Sequence, residues 1–92
     1  MKIEMTKEDV KNGIPCDSEE CAISQALMRE FNTNQVETCI KGTDIDIRVN
    51  DQPYFIKNED INKVKRFIWD FDNLDFIDDA VPPQPIIFEL NQ

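Results

Sequence analysis

Apolar residues change their spacing twice along this chain, and that change of period limits the fold more than any other feature. Ala22, Ile23, Ala26, Leu27 and Phe31 recur at the intervals of one helix face, with Ser24, Gln25, Arg29 and Glu30 on the other side. Beyond them the interval drops to two. Val36, Thr38 and Ile40 alternate with Gln35, Glu37 and Cys39, and Ile45, Ile47 and Val49 alternate with Asp44, Asp46, Arg48 and Asn50. These are two strands, each with one buried and one wet face, joined as a hairpin by the Gly-containing loop Lys41-Gly42-Thr43. Asn50-Asp51-Gln52-Pro53 reads as a turn into a brief third strand, Tyr54-Phe55-Ile56, which completes a meander. Helical spacing then returns in Ile61, Val64, Phe67, Ile68 and Phe71.

At the chain ends, Ile3 and Met5 alternate with Lys2 and Glu4. Pro85 precedes a β-rich run, Ile86-Ile87-Phe88-Glu89-Leu90, expected to return as a strand beside Ile3–Met5. The implied class is α+β: a small antiparallel sheet of four or five strands with one or two helices packed on one face.

Local signals mark the boundaries. Thr6 and Asp9 approximate a capping box for a short helix over Lys7–Asn12. Gly13 is expected to end it in the left-handed conformation, and Pro15 blocks its resumption. Asp17 is expected to cap the second helix, with Glu20 at its third position, and Asn32-Thr33-Asn34 to end it. Asn58 is the expected cap of the third helix, with Glu59 and Asp60 in its first turn and Glu59 paired to Lys63.

The 92 residues fit one domain, 1–92, carrying an acidic surface segment at 70–84. A net charge of −9 argues against direct binding to nucleic acid or to anionic lipid, both of which need clustered Lys and Arg. It favours a partner protein with a basic surface, attracted at low ionic strength. The N-terminal charges at Lys2, Glu4, Lys7 and Glu8 do not suit a secretory leader, and no apolar run reaches about 18 residues. Cys16, Cys21 and Cys39 are odd in number and read as reduced thiols of a cytoplasmic protein.

Most catalytic chemistry is disfavoured. The chain has no His, which removes the usual base for Ser or Cys nucleophiles and the commonest metal ligand. Cys21 stands near a helix start, but Glu19 and Glu20 oppose its thiolate. Three thiols fall short of a closed zinc site. The run from Asp70 to Asp75 places Leu74 and Asp75 where a calcium loop needs a ligand and a glycine. Gly13 and Gly42, the only glycines, build no phosphate loop. The expectation is a non-enzymatic protein without metal or cofactor.

Charge is unevenly spread. Residues 1–66 hold 13 acids and 10 bases, a balance of −3, whereas residues 67–92 hold six acids and no base, a balance of −6. Asp70, Asp72, Asp75, Asp78 and Asp79 are interleaved with Phe71, Leu74, Phe76 and Ile77. Acids at a helix C-terminus oppose its dipole, so a stability-driven sequence would place Lys or Arg there. Clustered carboxylates with apolar anchors suit a basic, partly apolar groove. Asp70, Asp72, Asp75, Asp78 and Asp79 are therefore the candidate partner-binding acids, with Trp69 and Phe76 as anchors and the strand acids Glu37, Asp44 and Asp46 extending the surface.

Several short motifs carry a resemblance: Thr6…Asp9, Gly13-Ile14-Pro15, Cys21-Ala22-Ile23-Ser24-Gln25-Ala26-Leu27, Phe67-Ile68-Trp69-Asp70-Phe71-Asp72 and Pro85-Ile86-Ile87-Phe88-Glu89-Leu90. This pattern resembles a group of small proteins encoded in bacteriophage and prophage genomes. The chain departs from it between Asn73 and Gln84, the acidic stretch. The resemblance implies a phage or prophage genomic setting, and so the host cytoplasm as the expected place of action. With the charge asymmetry, it leads to an inhibitor of a nucleic-acid-binding defence component (CRISPR-Cas or restriction), acting as a monomer or dimer through carboxylates that mimic phosphates. The alternative is a phage structural or assembly protein that self-associates through an exposed edge strand such as Ile86–Leu90. A metal-dependent hydrolase using the Asp-rich loop is a third class.

Overall fold

The computed structural model describes residues 1–42 and 44–92; Thr43 of the expected hairpin loop lies outside the described residues. The elements run β1 (Lys2–Glu4), α1 (Lys7–Asn12), α2 (Ala22–Phe31), β2 (Val36–Lys41), β3 (Asp44–Val49), β4 (Gln52–Ile56), α3 (Ile61–Asp72) and β5 (Ile87–Asn91). The strands form one antiparallel sheet in the order β1-β5-β4-β3-β2. The fold is α+β, with the helices on one face.

The core follows the two periods. Ile3, Phe88, Leu90, Ile56, Ile47, Val49 and Val36 reach it from the strands, meeting Ala22, Ile23, Ala26 and Leu27 of α2 and Val64, Phe67, Ile68 and Phe71 of α3. The β2–β3–β4 meander is present, and Asn50 (φ 52°) and Asp51 (φ 64°) are both left-handed, as a tight two-residue hairpin turn demands. The α1 capping box forms: Thr6 Oγ1 accepts from Asp9 N at 3.2 Å and Asp9 Oδ2 accepts from Thr6 N at 2.8 Å. Buried Asp9 also takes the Arg29 guanidinium at 2.6 Å, and Arg29 donates to Glu4 O at 2.7 Å, tying α1, α2 and β1 together.

Six expectations are corrected. Gly13 is extended (φ −70°, ψ 149°), not left-handed; a Cβ there would lie 2.6 Å from Ala22 N, so space rather than conformation calls for glycine. Asp17 caps a turn, accepting from Glu19 N at 2.9 Å and Glu20 N at 3.0 Å, and α2 starts only at Ala22, because Ile14 N bonds to Glu20 O and folds the segment back. Asn58 opens a single 3-10 turn, and the α3 cap position is Asp60, whose carboxylate is taken by Glu89 N at 2.8 Å and Lys63 at 3.3 Å. Lys63 therefore pairs with Asp60 instead of Glu59. Ile40 is half exposed (51 %), because its side of β2 faces an open cleft instead of a helix. Finally, Ile86–Leu90 is no exposed edge: β5 lies between β1 and β4, and the outer strands are β1 and β2.

Candidate protein-binding site

α3 ends at Asp72 without a basic residue in its last turn, and a 3-10 turn, Asn73–Asp75, follows. Phe76 N and Ile77 N both donate to Asn73 O, and Ala80 N donates to Ile77 O, so the acidic segment is shaped by its own backbone turns. Past Phe71, which is buried in the core, its apolar residues hold it only weakly. Phe76 is 76 % exposed, Val81 80 % and Trp69 70 %, and Ile77 is also exposed; Leu74 alone packs partly against the buried cluster.

The candidate acids separate into three kinds. Asp70 lies 4.0 Å from Arg66 one helical turn earlier, an exposed pair worth little net attraction. Asp72 is half-buried and accepts from Cys16 N at 3.0 Å. Asp75, Asp78 and Asp79 are exposed, and among the described residues no cation lies within ion-pair distance of them. These three are the uncompensated charges.

The strand acids belong elsewhere. Glu37, Asp44 and Asp46 alternate with core residues, so they lie on the sheet face turned away from the helices. Asp46 sits between Lys41 at 3.3 Å and Arg48 at 3.7 Å, while Glu37 is opposite Arg48 and Asp44 opposite Lys41 in the strand register. They form a mixed-charge surface with Phe55 exposed at its centre, and do not extend the α3 acidic end.

The cysteines, read separately in the sequence, converge. All three line one open cleft of about 360 Å³ between the start of α2, the outer strand β2 and the last turns of α3. Ala22, Ile23, Thr38, Phe67 and Phe71 form its buried wall; Ile40, Asp17 and Asp72 stand at its mouth. Cys16 adopts a left-handed backbone (φ 61°), which costs about 1–2 kcal/mol for a residue with a Cβ and is held by its bond to Asp72. Loss of hydration raises the Cys16 thiol pKa, and Asp72 and Asp75 raise it further, the opposite of an activated nucleophile. Among the described residues no three Cys, Asp or Glu side chains are grouped to hold a metal ion, and no helix is long and apolar enough to cross a membrane. Nothing in the sequence marked the cleft: Ile40, at its mouth, reads there as one of the buried residues of its strand.

Comparison with models of protein families, with curated proteins and with solved structures gave no match.

Proposed function

We propose that the protein is a non-catalytic binding module whose acidic, aromatic-flanked segment docks on the phosphate-binding surface of a nucleic-acid-binding host protein and blocks it. One observation carries the reading. Asp75, Asp78 and Asp79 stand exposed without cations, with Trp69 before them and Phe76 among them, both largely in solvent. Uncompensated carboxylates attract a basic surface over roughly a Debye length, about 8–10 Å at moderate salt. Exposed aromatics supply the desolvated anchors that carry binding energy. The net charge of −9 favours association with a basic protein and opposes contact with nucleic acid itself. The resemblance to small phage proteins supplies only a setting, a host cell, in which such a target would be met.

The test is affinity capture from bacterial lysate with the wild type and with the triple variant D75N/D78N/D79N. Partners specific to the wild type should elute as salt rises and be displaced by duplex DNA, and the variant should lose them. Equal recovery by the variant, or partners indifferent to DNA, would refute the phosphate-mimic reading.

A further inference from the structure

Beside the acidic segment lies a surface that neither its charge nor its aromatics explain. β2 is an outer strand, and its hydrogen bonds show which backbone groups are used. Asn50 N donates to Gln35 O, so the odd-numbered positions face β3. Thr38 N donates outward, to Ser18 O at 2.8 Å. Two residues further along, the N–H and C=O of Ile40 must also point outward, and among the described residues nothing outside the sheet bonds to them. The covering segment leaves the strand edge there, crossing from Ser18 to Cys16, which bonds to Asp72 at the end of α3. What opens at that point is the cleft of about 360 Å³, walled by Ala22, Ile23 and Phe71.

An unpaired strand edge beside an apolar cleft is what an extended peptide needs: backbone partners along the edge and a pocket for one side chain. We propose that the Ile40 edge of β2 and this cleft receive a short extended segment of a partner protein, with one apolar side chain in the cleft and a Lys or Arg two residues to either side. The charges choose this occupant over a second copy of the chain. Asp17 and Asp72 flank the mouth and Glu19 lies further along the same edge, while Lys41 at the end of β2 is taken by Asp46. Two such edges brought together would set acid against acid, whereas a cationic strand neutralises them. Residues two apart in a strand point to the same side about 6.6 Å apart, so a Lys-x-apolar-x-Lys pattern puts both cations at the cleft mouth while the middle side chain enters it. The inference does not depend on phosphate mimicry.

The experiment is a titration of the ¹⁵N-labelled protein with capped five-residue peptides Lys-Val-X-Val-Lys, where X is Leu, Ile, Met or Phe, followed by NMR. The Ile40 amide should shift and exchange more slowly, with Ala22 and Phe71 shifting in parallel. Replacing X by Ser should weaken binding about tenfold or more. Replacing both Lys by Glu, or testing D72N, should weaken it about two- to fivefold per charge removed. N-methylation at X, which blocks its backbone donor without touching the protein, should abolish binding. D75N/D78N/D79N should stay within about twofold of wild type, which separates this site from the acidic segment.

No shift at Ile40 with any of the four peptides would overturn the proposal. So would shifts confined to Asp75–Asp79 that survive the X-to-Ser change, since binding is then by charge alone. Concentration-dependent shifts at Ile40 without peptide would assign the edge to a second copy instead.

Discussion

Alanine at Gly13 sets two opposed effects against each other, and the geometry decides the sign. The backbone there is extended (φ −70°, ψ 149°), a region any residue adopts. Conformation alone therefore predicts that Gly13→Ala stabilises by about 0.4–1 kcal/mol, by restricting the unfolded chain. Space predicts the reverse. The new Cβ would stand 2.6 Å from Ala22 N, 2.8 Å from Ala22 Cα and 2.9 Å from Asp9 O, well inside the ~3.5–4.0 Å of an unstrained contact. All three neighbours are backbone, and neither side yields easily: Ala22 is fully buried at the start of α2, and Asp9 is fixed by Arg29 and Thr6. Overpacking of this kind costs about 1–3 kcal/mol. The net effect is a loss of about 1–2 kcal/mol, read as a lower urea midpoint with unchanged slope and a Tm lower by about 4–8 °C for each kcal/mol. Gly42 supplies the control, because its φ of +62° is left-handed and nothing lies within 4 Å of its Cβ position. Gly42→Asn should be nearly neutral and Gly42→Ala should cost about 1 kcal/mol, whereas Gly13→Asn should be no better than Gly13→Ala. A Gly13→Ala protein as stable as wild type, or more so, would refute the steric argument.

Arg29→Met should cost about 2–3 kcal/mol and Asp9→Asn about 1–2, because the first strands a carboxylate that is only 9 % exposed while the second leaves a guanidinium that is 42 % exposed. Urea titrations of both and of the double variant should give a coupling of at least about 1 kcal/mol, and the opposite ranking would contradict the assignment. The Asp60 carboxyl is held below its ordinary pKa, chiefly by the bond from Glu89 N and then by Lys63. Its folded-state value being the lower one, its contribution is complete above the ordinary aspartate value of ~3.9 and is lost as pH falls through the folded value. Asp60→Asn should therefore flatten the acid limb of the urea-midpoint profile, and an unchanged limb would count against that role. Trp69→Ala and Phe76→Ala should change stability by less than about 0.5 kcal/mol, since both are mostly in solvent, yet lower partner capture; a large loss of stability would place them in the fold.

How much was legible depended on whether a feature was local. Periodicity located α2, α3, β2 and β3, because a two-residue or 3.6-residue repeat is imposed by burying one face of each element. The Thr6–Asp9 capping box was legible for the same reason: both partners lie within one turn. Helix starts failed where contacts beyond the first turn set the boundary, as the Ile14–Glu20 bond does before α2. Asp60 is the clear case, engaged by Glu89 from β5, which left the first turn after Asn58 a 3-10 turn. The sequence shows that no base accompanies Asp78, but not that Lys41 would join Arg48 at Asp46, which lies between the two while Asp78 faces solvent alone. The strand hairpin places the two cations beside Asp46, so that difference appears only once the register is known. The cleft was less accessible still, since its wall is assembled from residues near 22, 38 and 70.

The placement of the free carboxylates follows from the cost of keeping them. A negative charge in the last turn of a helix opposes the dipole by about 0.3–1 kcal/mol when exposed, and the effect fades within a turn. α3 carries two acids there, and each has a local partner: Asp70 lies near Arg66, and Asp72 accepts from Cys16 N. The three acids without cations begin only beyond the helix, at Asp75, Asp78 and Asp79. Their mutual repulsion is weakened by water, because all three are exposed. The chain thus carries its unbalanced charge where it disturbs folding least and where a cation brought by another molecule can reach it. Asp72 stands at the junction, holding Cys16 over the cleft with one oxygen and bordering the acidic segment. A basic partner and an extended peptide strand would meet there on one continuous end of the molecule.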